Sequence, residues 1–280
     1  MAVTTTRTRF EDFQVSIGGA DIEGLTSAEL VLTQNLPQTG SAAPSSDVSY
    51  CRGIRSGTLN LAGSFIDADT LPKCGLGATL SLDNGVADFK GLGDVTINAT
   101  QEVGDVTTQS SSGAREVEPG KRTCSVDLNG VYFDPLGAGA NNSEMITDAI
   151  SGNQTIDVLV DWPTGSSFRM ATAYTENVSI TRTEDEAVVQ IAGTLRGSGA
   201  PTATYDADTT LDSLLQSVHT AASLSYKMVV AASGTPVVGA TSYTFSGYCT
   251  ALTINIPLEE QITWTATVEI NGAVTEGAHA

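Results

Sequence analysis

The sequence predicts an all-β protein with a minor helical share, built from one structural unit used twice. Three observations predict it. Charged residues make up only 16% of the 280 positions and hydrophobic ones 40%, with Ser, Thr, Gly, Val and Ala prominent, as in strand-rich proteins. Short segments alternate apolar with polar residues and are punctuated by Gly and Asn. Finally, Gly120–Asp134 (GKRTCSVDLNGVYFD) returns the pattern of Gly53–Asp67 (GIRSGTLNLAGSFID) at an offset of 67 residues. Carried back to Val15 without a gap, that offset gives 13 identities in 53 aligned positions, among them Gly18/Gly85, Leu25/Leu92, Gln34/Gln101, Arg55/Arg122, Gly63/Gly130 and Asp67/Asp134.

In chain order, Phe10–Ile17 and Ala28–Thr33 read as strands around the GGADIEGL turn, whose glycines admit positive φ. Asn35–Tyr50 (NLPQTGSAAPSSDVSY) then reads as a long exposed loop, and Glu102–Pro119 as its counterpart at the equivalent place. Matched loops of this length inside compact domains point to function. After each comes period-two alternation: Leu59 and Leu61 against Thr58 and Asn60, and Cys124, Val126 and Leu128 against Ser125, Asp127 and Asn129. One face is dry and the other wet. Leu76–Leu82 and Asp94–Thr100 are further strands.

Two helices are predicted, Asn142–Ile150 and Asp208–Val218; in the second, Leu211, Leu214, Leu215 and Val218 fall at i, i+3, i+4 and i+7. Each precedes an alternating strand, Thr155–Asp161 or Ser223–Val230. A second, weaker duplication relates Ala173–Gly199 to Gly247–Gly272, at an offset of 74 that becomes 73 after the connecting turn. The first halves therefore occur in the order A, B and the second halves in the order B, A. Nested modules follow as the expectation: residues 75–202 form an inner module, inserted in an outer one made of 1–74 and 203–280.

The net charge is −19, from 32 acidic and 13 basic residues, which argues against adhesion to phosphate backbones or anionic membranes. The N-terminal MAVTTTRTRF lacks the apolar core of a signal peptide, and no run of about 18 apolar residues occurs, so the chain is expected to be made and kept in the cytosol. Four cysteines without CxxC spacing indicate free, mostly buried thiols, with a Cys51–Cys74 bridge the less favoured alternative.

No catalytic constellation is legible. His219 and His279 are too few and too far apart for a triad or a His-rich metal site. The acidic runs Glu184–Glu186 and Glu259–Glu260 lack the spacing of a calcium loop and read as solvated turns. No phosphate-binding glycine motif is present. The chain is expected to be no enzyme and to hold no cofactor or metal.

The order of elements carries a resemblance. A strand pair, a long loop, a strand carrying REVEPGKRTCSVDLNGVYFD, a short helix and a hairpin ending ITRTEDEAVVQIAGTLRGSG together resemble the major tail tube protein of long-tailed bacteriophages, a fold shared with type VI secretion tubes and contractile-tail inner tubes. The resemblance is closest over Glu116–Gly199, and the duplication is similar to two-module members of the family. It implies two β-sandwich or barrel modules with one short helix each, and a virion structural protein assembled in the host cytoplasm. Its rings would stack into a hollow tube through which genomic DNA passes without specific binding and without a membrane. Tape measure and tail terminator proteins are the implied partners. Six modules per ring imply a homotrimer.

On that reading Asp127, Glu176 and Glu269 are expected on the channel wall, and Asn35, Gln38, Ser45, Asp105, Ser111 and Arg115 at contacts between rings. The alternative from another class is a non-enzymatic β-sandwich adhesin or carbohydrate-binding surface module, which calls for a signal peptide and an aromatic platform.

Overall fold

A computed structural model describes residues 13–22, 24–35, 38–39, 49–50, 53–65, 75, 78–82, 89, 91–131, 142–152, 156–162, 166–182, 189–204, 209–230 and 239–279. The all-β class with two short helices is borne out. The first strands are β1 (Phe13–Ile17), β2 (Ala20–Asp21), β3 (Leu25–Gln34), β4 (Gln38–Thr39), β5 (Ser49–Tyr50) and β6 (Arg55–Ser64). Then come β7 (Thr79–Ser81), β8 (Leu92–Asp105), β9 (Val117–Val131), helix α1 (Asn142–Ser151), β10 (Ile156–Trp162), β11 (Ser166–Thr181), β12 (Gln190–Gly197) and β13 (Thr202–Thr204). Helix α2 (Thr209–Thr220), β14 (Leu224–Val230), β15 (Thr241–Ile256) and β16 (Thr263–Ala278) close the chain.

Apart from the small β4–β5 pair, these strands belong to one antiparallel sheet of 14 strands. Within it two sets have the same order. One runs β1–β14–β15–β16–β6–β3, the other β7–β10–β11–β12–β9–β8. Their registers also match: Leu25 faces Gly63 as Leu92 faces Gly130, and Gln34 faces Arg55 as Gln101 faces Arg122. Glu269 faces Thr58 as Arg196 faces Ser125. The bulge between Thr175 and Asn177 on β11 recurs between Cys249 and Ala251 on β15.

The sets join where β8 pairs with β15, Ala251 facing Thr100 through to Ile256 facing Val95. Strand β15 is thus fully flanked. Its first half pairs with β14, its second half with β8, and its opposite side with β16 along the whole length.

Alternation decides which face is dry. Leu59 and Leu61 on β6, Val126 and Leu128 on β9, and Trp264, Val268 and Ile270 on β16 are buried, whereas their sequence neighbours are not. Burying each such side chain contributes about 1.5–3 kcal/mol. The helices cover part of the dry face, α1 on β11 and α2 on both β15 and β8. Each also ties down a bulge: the Asp148 carboxylate accepts from the Thr175 amide at 2.6 Å, and the Ser217 hydroxyl from the Cys249 amide at 3.1 Å.

The expectation of an open loop over Glu102–Pro119 is corrected. Strand β8 runs to Asp105 and β9 starts at Val117, with Val103 facing Pro119 and Asp105 facing Val117. Residues 106–116 fold back as a hairpin tip with a 3-10 turn at Gln109–Ser111, tied to the other strand set by Arg55 N to Gly113 O (2.8 Å) and Gly272 N to Arg115 O (2.8 Å). Polar and glycine-rich composition hid a pairing made by backbone groups. Most of Asn35–Tyr50, and both Cys51 and Cys74, lie outside the described residues.

Gly63 is required by packing, because a Cβ there would sit 2.5 Å from the Trp264 ring. Gly63→Ala is expected to lower unfolding free energy by about 1–3 kcal/mol through overpacking, read as a fall in the urea midpoint with an unchanged slope.

Candidate functional site: the polar face of the sheet

The wet side chains of eight strands, in the order β3–β6–β16–β15–β8–β9–β12–β11, share one face. They are mainly hydroxyls and amides that hydrogen-bond across the strands. Asn60 Nδ2 donates to Glu29 Oε2 (3.3 Å) and Thr267 Oγ1 to Asn60 Oδ1 (3.4 Å). Thr253 Oγ1 donates to Asn98 Oδ1 (3.1 Å), and Thr96 Oγ1 to Asn255 Oδ1 (3.2 Å). Asn98 Nδ2 and Thr194 Oγ1 both donate to Asp127, at 2.8 and 2.5 Å. Groups bonded sideways in this way have fewer donors and acceptors left for anything passing over them.

The three acids singled out for this face are therefore engaged. Asp127 sits in the middle of the row, on β9. Glu269 on β16 accepts from Arg115 Nη1, and Arg115 Nε also reaches Asp105 at 3.3 Å. Glu176 lies in the β11 bulge and is forked by Arg196 at 2.7–3.0 Å, an exposed pair worth at most about 1 kcal/mol. Two of the three are thus neutralised by arginine, and the face is more neutral than the net charge of the chain suggests.

Of the other predicted positions, Asp105 and Arg115 meet at the hairpin tip, where hydrogen bonds from Thr107 and then the Arg115 charge hold the Asp105 carboxyl below its usual range. Ser111 is buried, its hydroxyl accepting from the Thr108 amide at 3.0 Å, so it stabilises its own turn. Asn35 is exposed and exchanges backbone bonds with Gly53 and Ile54. Gln38 belongs to β4, and Ser45 lies outside the described residues.

Among the described residues no group of His, Cys, Asp and Glu could hold a metal ion. Burial pushes the Cys124 and Cys249 thiols up to about 12, so neither is a thiolate at neutral pH.

A second cluster, at the join of the two strand sets, escaped sequence reasoning. Gln101 and Arg122 reach the last turn of α2. The Gln101 amide nitrogen, in the orientation that satisfies its neighbours, donates to the Ser217 and Val218 carbonyls at 3.0 and 3.3 Å. Arg122 Nη1 donates to the His219 carbonyl. Carbonyls at a helix C-terminus lack intrahelical donors and carry the negative end of the dipole, so a guanidinium there is favourable. The available signal was the pair of identities Gln34/Gln101 and Arg55/Arg122, which marks equivalence but names no partner.

Burial, and then the Arg122 charge, push the His219 imidazole down from 6.5 to about 4. The folded state thus favours the neutral ring. Because the unfolded chain takes up that proton near pH 6.5 and the folded chain only near 4, this group's contribution is complete above 6.5 and is lost as pH falls from 6.5 towards 4. Thermal midpoints from pH 7 to 4 are expected to fall more steeply for the wild type than for His219→Gln. Equal slopes would show that His219 is not the source.

Residues 79–203 match the family model described as phage tail tube protein. The resemblance seen in the sequence is borne out over that stretch. No curated protein matches the chain. Among solved structures, one titled as the virion of a native gene transfer agent particle is similar at 21% identity and a TM-score of 0.38, over 45% of this chain and 95% of that one. Another, the tail of an empty gene transfer agent particle computed with helical refinement and C6 symmetry, matches at 20% identity and a TM-score of 0.37, over 46% and 96%. A third, the tube-terminating cap of the anti-feeding prophage, matches at 16% identity and a TM-score of 0.35, over 46% and 87%.

Proposed function

We propose that this chain is a two-module tail tube subunit whose copies close into rings, the rings stacking into a hollow tube with the polar sheet face lining the channel. The observation that carries the reading is the repeated strand order. The stretch that matches the tail tube family contains one set of strands, and the rest of the chain builds a second set in the same order and register. On this reading residues 75–202 are the inner module, and 1–74 with 203–280 the outer one.

A ring of six modules then needs three chains, related by threefold symmetry and sixfold only in backbone outline. Such a ring carries 3 × −19 = −57 charges, so salt screening promotes stacking. A wall of Thr and Asn side chains bonded to one another, with Asp127, Glu176 and Glu269 as its acids, repels phosphates mildly and offers little to bind. That is the surface a DNA conduit requires. The loop around Asn35, Gln38 and Ser45, and the tip carrying Asp105, Ser111 and Arg115, are assigned to contacts between rings. Tape measure and terminator proteins are the partners at the tube's interior and end, and the host cytoplasm is the place of assembly.

Native mass spectrometry and negative-stain microscopy test this. The expected result is three chains per ring, with rings joining into tubes as salt rises. Six chains per ring would mean that the two strand sets do not both line the channel; monodisperse particles that bind glycans would favour the adhesin alternative. Replacing residues 40–48 by a short turn is expected to leave the thermal midpoint and the ring intact while preventing tube growth.

A further inference from the structure

We propose that the open pocket between the start of β9, the turn after β12 and the end of α2 is a binding site for a phosphate group, held by Lys121 and Arg122 with His219 as a third contact. The site does not depend on how chains assemble.

The pocket measures about 310 Å³, and its lining includes Lys121, Arg122, Thr123, Gly199, Ala200 and His219. Small-molecule sites run from about 300 to 1,000 Å³, so the ligand that fits is a small one. Its charge is out of keeping with the rest of the chain. Against 32 acidic residues stand 13 basic ones, and Lys121–Arg122 is the single place where two basic residues are adjacent. Among the described residues no carboxylate belongs to the lining. Lys121 is exposed and forms no ion pair among those residues. Arg122 gives one N–H to the His219 carbonyl and keeps others of its five for a ligand. Screening acts over about 8 Å at physiological salt, so for a small ion in the pocket these two cations outweigh the distant acids.

His219 points independently to a ligand. Its side chain is 9% exposed, and Nε2 is buried without a hydrogen-bond partner among the described residues. A buried polar nitrogen of this kind is costly unless something bonds to it. A phosphate oxygen in the pocket accepts from the ring and offsets the Arg122 charge that disfavours the imidazolium form.

The duplication provides a comparison within the chain. The offsets of 67 and 73 put Arg55, Ser56, Gly272 and Ala273 in the places of Arg122, Thr123, Gly199 and Ala200, and those four line an open groove in the other strand set. Gly199 and Gly272 take the same turn at positive φ, 98° and 85°. The backbone frame is therefore shared while the lining differs. The groove is larger, about 430 Å³, and its walls include Leu32, Ile270 and Val274 together with Glu276. Ile54 stands where Lys121 does, and Ile270 where Gly197 does. A frame that accepts an apolar lining with an acid shows that the fold itself does not require Lys121. Two cations, a hydroxyl and an imidazole around one small cavity are what a phosphate dianion selects.

Histidine NMR on the full-length chain at low ionic strength tests the site, because His219 and His279 are its only histidines and His279 does not line the pocket. Added inorganic phosphate is expected to shift the His219 ring resonances saturably and to raise its titration midpoint above about 4, leaving His279 unmoved. Lys121→Ala, which truncates an exposed side chain, is expected to weaken phosphate binding by roughly 10-fold or more with the thermal midpoint unchanged, and Lys121→Arg to restore it. Glycerol 1-phosphate distinguishes the source: binding tighter than that of inorganic phosphate assigns the site to a phosphomonoester, and equal or weaker binding assigns it to the free ion. A His219 shift that sodium chloride reproduces at matched ionic strength, or one that Lys121→Ala leaves unchanged, overturns the proposal, as does the lack of any saturable shift.

Discussion

A β-strand at the edge of a sheet presents backbone donors and acceptors that must find partners in protein or water, and the architecture depends on how β15 meets that demand. It is flanked by β16 on one side and by β14 and then β8 on the other. That last contact turns two six-strand sets into one sheet. Without it the wet face would end at β15, and the rows formed by Thr253 with Asn98 and by Thr96 with Asn255 would not exist.

The bulges allow one strand to serve two neighbours in turn. An extra residue on β11 and on β15 bends each strand and frees an amide from the ladder. The structure spends a helix side chain on each, Asp148 for Thr175 and Ser217 for Cys249. The helices are thereby held over the dry face by directional bonds as well as by burial. The difference between the helices also has a physical cause: α2 has a second sheet surface under its C-terminal end, whereas α1 leaves Ile150 in solvent.

Strand positions and the offset of 67 residues were legible because alternation and glycine punctuation are local signals. Leu59, Leu61, Val126 and Leu128 declare their face with no knowledge of partners. Both helices were legible, α2 through the apolar spacing of Leu211, Leu214, Leu215 and Val218. The hairpin tip at residues 106–116 was not, since its order comes from backbone bonds to Arg55 and Gly272 far along the chain. Nor were the roles of Gln101 and Arg122, because their acceptors are main-chain carbonyls that leave no trace in side-chain identity. The carboxylates were placed on the wet face by alternation, but their neutralisation by Arg115 and Arg196 depends on the bulge and on the tip, which alternation does not report.

Pairing of β6 with β16 has a consequence for how the chain reaches this state. Asn60 and Thr267, in contact across those strands, are 207 residues apart. Closing so long a loop in an unfolded chain carries a large entropic penalty and slows folding. The strands from β7 to β12, by contrast, are contiguous in sequence and complete while the ribosome is still making the rest. Pairing of β7 with β10, of β10 with β11 and of β11 with β13 places Leu80 and Ala203 only three strands apart, so once these strands have formed the effective separation of β6 and β16 shrinks. Until β15 emerges, the edge of β8 is an open template on a nascent chain. The tethered β15 meets it at a far higher local concentration than any other molecule's strand can supply, so synthesis order itself guards against premature association.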